Sequence, residues 1–176
     1  MTYRAQPLEV MLSQVDQVIP PRPGDLPESL FRFVSRRTPL VNVDLLIQRN
    51  LESRRETLLT WRQDEFYLGW HVPGGIVRFK ESFRERIDAV AKQELGATVK
   101  AQSSPAGVFN MINSSRSTRG HFIALLFRCT LLSEPSDSMR CPNVDCPSPG
   151  QWAWHSMPPV KMLAQQAIYR SFLESQ

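Results

Sequence analysis

The sequence predicts one mixed α/β domain, a sheet covered by helices on both faces, with a helical extension in front of it. Three observations carry this expectation. The 176 residues suffice for one domain plus a modest extension. Apolar residues make up 41% and include nine Phe and four Trp, enough for a core and too many for a disordered chain or a fibrous repeat. The patterned segments run strand–strand–helix–strands–helix, for which a sheet between helices is the economical packing.

Residues 1–24 read as the extension. Leu8, Met11, Leu12, Val15 and Val18 or Ile19 recur at helical spacing. Pro20, Pro21 and Pro23 then stop the helix. The domain proper spans 25–176. Pro27-Glu28 is a favoured first turn for a helix running to about Arg36. Leu40–Ile47 is rich in branched apolar residues and reads as a strand. A polar turn from Asn50 to Arg55 leads to a returning strand, Glu56–Arg62. After a loop at 63–69, Trp70–Val72 enters Pro73-Gly74-Gly75 and Ile76–Phe79 leaves it as a strand. Ser82 and Glu85 form a capping-box signature that opens a helix over 82–95, and Gly96 closes it. Ala97–Ala101, Gly107–Ile112 and His121–Leu132 read as strands, with a polar loop at Asn113–Gly120. Ser133–Gly150 is an 18-residue loop rich in Pro, Ser and Cys, long enough to suggest function or mobility. Gln151–Trp154 is a short strand, and Pro158-Pro159 open a final helix to about Leu173.

Composition narrows the function. With 21 Lys and Arg against 17 Asp and Glu, the net charge of +4 does not indicate a nucleic-acid coat. The longest apolar run, Phe122–Phe127, is far short of a membrane span. Arg4, Glu9 and Asp16 interrupt the start of the chain, so it lacks a signal-peptide core. Three cysteines, an odd number, fit a reduced cytoplasm better than a disulfide framework. Cys141, Cys146 and His155 do not have the spacing of a zinc site. Fourteen Pro against eight Gly reverses average usage.

One carboxylate points the wrong way. On a wheel of ~100° per residue with Phe83 at the origin, Glu94 falls at about 20°, among Ile87, Val90 and Ala91. An ionised carboxylate aimed at a core needs a cation or strong donors. Pro73-Gly74-Gly75 supplies a sharply bending backbone with accessible carbonyls. Carbonyl and carboxylate oxygens are the hard ligands Mg²⁺ prefers.

Gly75-x5-Glu81, followed by a helix ending Gln93-Glu94-Leu95-Gly96, resembles a degenerate Nudix box, G-x5-E-x7-R-E-U-x-E-E-x-G-U with U aliphatic. The R-E pair is Ala89-Val90 here and the penultimate Glu is Gln93. Within that superfamily the chain is most similar to the GDP-mannose mannosyl hydrolase branch. The similarity runs through Phe31–Asp44, Leu58–Arg62 and Trp70–Leu95, and more weakly through His121–Arg128, Trp154 and Tyr169-Arg170. It covers roughly 25–174 and implies a Nudix-like sheet sandwiched between helices.

What the resemblance implies about function is specific. In that branch one Mg²⁺ sits on the diphosphate of a nucleotide sugar, water attacks the anomeric carbon, and a nucleoside diphosphate leaves. The Gly74 carbonyl and the Glu94 carboxylate are implied as metal ligands, Arg62 as the diphosphate and leaving-group contact, Asp44 as an acidic residue of the same site, and Phe31 as an aromatic near the base. The branch's third ligand and catalytic His fall on Ser148 and Pro149, so both are lacking at that position; Gln151, Asp145 or His155 could substitute if the loop folds differently, and His155 is nearest in sequence to the base position. His71 and His121 are the other histidines. The Arg that follows the two glycines in the branch is Ile76 here. A homodimer is implied too, formed through the N-terminal segment. A pyrophosphohydrolase attacking phosphorus and a catalytically weak binding module are the competing expectations. Loss of the box carboxylates favours chemistry at carbon over chemistry at phosphorus.

Overall fold

The computed structural model describes residues 7–19, 25–52 and 54–174. The first helix forms as the spacing predicts, α1 at Leu8–Val18, with none of its residues buried. The prolines expected to end it, Pro20, Pro21 and Pro23, lie outside the described residues. α2 spans Glu28–Val34.

The centre of the fold is a mixed sheet of eight strands. β1 (Leu40–Leu51) is its axis. It pairs in parallel with β7 (His121–Leu131) over Leu40–Ile47. Its first half also pairs with β4 (Gly74–Ile76), and its last residues pair with β2 (Arg54–Gln63). β2 continues past β1 to pair with β3 (Leu68–His71) and with β8 (Trp152–His155). β5 (Val99–Ala101) and β6 (Gly107–Ile112) pair with β7.

Alternation along the strands divides the core in two. Val43, Leu45 and Ile47 of β1 pack with Leu58 of β2 and with Ile87, Val90, Ala91 and Leu95 of α3 (Phe83–Leu95). Leu46, Leu59 and Trp61 face the other way, onto Trp70, Tyr169 and Leu173. The sheet is therefore covered on both faces, as the sequence predicts. α3 carries the complete capping box at Ser82 and Glu85, and Gly96 closes it at φ 61°.

Four expectations need correction. The polar stretch Asn50–Arg55 is mostly strand: Asn50 pairs with Arg55 and Leu51 with Arg54, so hairpin hydrogen bonding outweighs polar composition. Ile76–Phe79 is not a strand beyond Ile76. The Arg78 N–H turns to the Glu81 carboxylate at 2.9 Å instead of to a neighbouring strand. The final helix does not begin at Pro158-Pro159. The Trp70 N–H donates to the Lys161 carbonyl and the Leu163 N–H to the Trp70 carbonyl, so this stretch lies along β3. Only a 3₁₀ turn at Ala164–Tyr169 and α4 at Arg170–Leu173 follow. Last, the proline-rich loop is anchored. The Ser136 N–H caps the Leu95 carbonyl at 2.7 Å, Trp152 Nε1 donates to the Ser136 carbonyl, and Cys141 is buried.

Candidate active site

A cleft of about 580 Å³ opens where β4 meets β1 and α3. Asp44, Thr60, Arg62, His71, Gly74 and Glu94 line it, so β1, β2, β3, β4 and α3 each contribute. Arg78, Arg86, Arg119 and Ile76 lie on its other walls.

Glu94 arrives from the α3 face. The Thr60 hydroxyl donates to its Oε2 at 2.7 Å, and the Gly74 N–H approaches Oε1 at 3.3 Å. His71 Nε2 lies 3.0 Å from the Thr60 hydroxyl oxygen and 3.7 Å from Glu94 Oε2. Its Nδ1 is 2.9 Å from the Val72 carbonyl, an acceptor, so Nδ1 carries a proton. His71 is buried at the cleft wall, and burial pulls its imidazole below the usual range although Glu94 opposes this.

Asp44 arrives from the opposite face. The Tyr169 hydroxyl donates to Oδ2 at 2.6 Å and the Asn42 amide to Oδ1 at 2.8 Å. Only 2% of Asp44 is exposed. Burial pushes its carboxyl up to about 7 against those hydrogen bonds, and the Glu94 charge pushes the same way. Gly74 lies between the two acids. A Cβ there would stand 2.1 Å from Asp44 Oδ1, so only glycine fits.

Among the described residues, no group of three or more His, Cys, Asp or Glu side chains converges as a metal centre. The residues present nevertheless suit a hard divalent cation. The Glu94 charge raises the cost of ionising Asp44, and backbone carbonyl oxygen is at hand in the Pro73-Gly74-Gly75 turn. Glu81 is not available for such work. Its two oxygens receive Arg86 Nε and Nη2, both at 2.8 Å.

Arg62 lies in the cleft two residues beyond Thr60. Its Nε donates to Asp64 at 2.6 Å and its guanidinium stacks 4.6 Å from the Tyr67 ring centroid. Phe31 is drawn into the same neighbourhood, with the Arg119 guanidinium 5.9 Å from its ring. His155 is not brought to the cleft. It packs edge-on to Trp70 at 4.6 Å, Nε2 buried without a hydrogen-bond partner among the described residues, and burial pulls it down to about 4. The reason is strand alternation: Trp152 and Trp154 face α3, whereas Ala153 and His155 face the C-terminal helix side. Gln151 and Asp145 do not line the cleft either; Pro149 and Gly150 do.

The sequence reading missed Thr60, Tyr169 and Arg119. Thr60 shares a strand face with Arg62, a period-two signal that was available. Tyr169 and Arg119 come to the site only through long-range packing.

No family profile matches the chain. It is 32% identical over 111 residues to Low-salt glycan biosynthesis protein Agl8 of Haloferax volcanii, covering 60% of this chain and 68% of that one. Among solved structures it resembles a MutT NUDIX hydrolase from Burkholderia pseudomallei (19% identity, 77% of this chain, 98% of that chain, TM-score 0.58). It also resembles a UDP-X diphosphatase (20% identity, 93% and 74%, TM-score 0.54) and a C. elegans Ap4A hydrolase (17% identity, 76% and 92%, TM-score 0.54).

Proposed function

We propose that the chain, which has the fold of Nudix hydrolases, hydrolyses a nucleotide sugar of the GDP-mannose type in a Mg²⁺-dependent reaction. Water attacks the anomeric carbon, and a nucleoside diphosphate and a free sugar are released. The observation that carries this reading is the meeting of Asp44 and Glu94 across Gly74, with Arg62 on the same strand face as the Thr60 that holds Glu94. The name of the haloarchaeal relative, a glycan biosynthesis protein, suits a sugar-linked substrate.

In this reading the Gly74 carbonyl and the Glu94 carboxylate hold Mg²⁺, which when bound would offset charge on the diphosphate. Thr60 and the Gly74 N–H fix the Glu94 rotamer. Arg62, steadied by Asp64 and Tyr67, supports the leaving diphosphate with a guanidinium of fixed geometry. Asp44 is the buried carboxylate suited to taking a proton from water near neutral pH. Phe31 lies toward the base. His71 takes the place expected for His155 as the histidine of the cleft, with Nε2 3.0 Å from the hydroxyl oxygen of the Thr60 that holds Glu94. The enzyme works as a cytoplasmic homodimer, with 1–24 as its extension and 25–176 as its catalytic domain. No helix among the described residues is long and apolar enough to cross a membrane.

Incubation with GDP-mannose and Mg²⁺ in ¹⁸O-water tests the reading. The expected products are GDP and free mannose carrying the label. Label in phosphate, with GMP and mannose phosphate as products, makes the enzyme a pyrophosphohydrolase instead. Ligand-induced stabilisation without turnover of any nucleotide sugar makes it a binding module.

A further inference from the structure

Three guanidinium groups gather around one aromatic ring. Arg62, Arg116 and Arg119 lie 4.6, 4.6 and 5.4 Å from the Tyr67 centroid. Arg119 is also 5.2 Å from the Phe66 centroid. Like charges at this range repel, and more so away from water. Among the described residues, only Arg62 of the three has a carboxylate partner, Asp64, whose other oxygen receives the Phe66 and Tyr67 N–H groups. The nearby acids Glu28 and Glu65 are both engaged by Arg32. Arg116 donates through Nη2 to the Phe66 carbonyl. That leaves Arg119 Nε and Arg116 Nη1 buried with no hydrogen-bond partner among the described residues.

The backbone holds this arrangement in place. Arg119 adopts φ 54°, a left-handed conformation unusual for a side-chain-bearing residue and concentrated at functional sites. Gly120 beside it has no room for a side chain, since a Cβ would lie 2.4 Å from the Arg116 carbonyl oxygen. The turn delivers Arg119 to the cleft wall. The distance to the acids is short as well. Thr60, bonded to Glu94, and Arg62 are two residues apart on β2, about 7 Å along a strand. That span suits a diphosphate reaching from the carboxylates to the arginines.

The geometry points to Arg119 as a second diphosphate-binding arginine beside Arg62, with Arg116 adding charge behind it. This inference rests on the nucleotide-sugar reading above and deepens it. In the branch the chain resembles, an arginine directly follows the two glycines, where this chain has Ile76. Arg119 brings positive charge to the cleft from the loop between β6 and β7. Its orphaned Nε and its fork of donors match phosphate oxygens.

The test is equilibrium binding of GDP, GMP and guanosine, with Mg²⁺, to the full chain and to R119A and R119K. The expected result is a tenfold or greater loss of GDP affinity in R119A, a smaller loss in R119K, and guanosine binding unchanged. Thermal melting checks that R119A is folded, and R119K carries the comparison if it is not. Unchanged GDP affinity in both variants overturns the inference. Equal losses for GDP and guanosine overturn it too, assigning Arg119 to the base. If the unaltered chain binds guanosine but not GDP preferentially, the nucleotide-sugar reading falls along with it. Turnover of GDP-mannose by R119A at the unaltered rate and KM removes Arg119 alone.

Discussion

Asp44 makes stability fall as pH rises through the neutral range. Its carboxyl is buried, held by Tyr169 and Asn42, and sits at about 7 against an ordinary value of 3.8. The unfolded chain releases this proton near pH 4, whereas the native chain keeps it to about 7. Between those values the native state binds one more proton than the unfolded state, so stability declines by about 1.4 kcal/mol per pH unit. A shift of about three units gives a total of about 4 kcal/mol, fully present below pH 4 and lost above pH 7. Asp44→Asn keeps the shape and cannot ionise. Urea denaturation of both proteins in chelator, from pH 4 to 8, isolates the contribution as a difference of two curves. The variant should gain on the parent steadily as pH rises, with most of the change between pH 5 and 7. A difference constant across that range would refute the argument that burial and Glu94 hold the proton on Asp44.

Two further outcomes follow from the same geometry. Gly74→Ala drives a methyl group to 2.1 Å from Asp44 Oδ1 and breaks the hydrogen bonds of that carboxylate; a loss of about 2–4 kcal/mol, or roughly 5–15 °C in melting temperature, is expected by calorimetry. Arg86→Ala leaves Glu81 without its bidentate partner beneath α3 and should cost about 3 kcal/mol, read as a lower urea midpoint, while Arg84→Ala, whose ion pair with Asp88 is exposed, should change the midpoint little.

The site was half legible in the sequence, and the division has a physical cause. Glu94 betrayed itself because a helix displays its faces every 3.6 residues, and a carboxylate in an apolar stripe stands out. Gly74 did so because glycine pairs in a turn signal close backbone approach. Both are local patterns. The partners that give those residues their properties are not local. Tyr169 reaches Asp44 across 125 positions of sequence, and Arg119 reaches Tyr67 across 52. Nothing in the spacing of either residue reports the contact. His155 was misplaced for a related reason. Proximity in sequence to an expected loop took precedence over the alternation of its own strand, which turns it away from the cleft. The final helix failed where backbone pairing to β3 competed with helical hydrogen bonds, a contest that composition cannot weigh.

The division of charge in the cleft bears on the order in which ligands would enter. Asp44 and Glu94 meet across Gly74 on one side, and Arg62 and Arg119 stand on its walls. An ionised floor of this kind repels a bare diphosphate while the arginines attract it. On the proposed reading, a nucleotide would be drawn first to the arginines and would settle against the carboxylates in the company of a divalent counter-ion. Saturation by nucleotide should accordingly steepen with the cation concentration, with the polarity of the cleft acting as a gate on which species can dock completely.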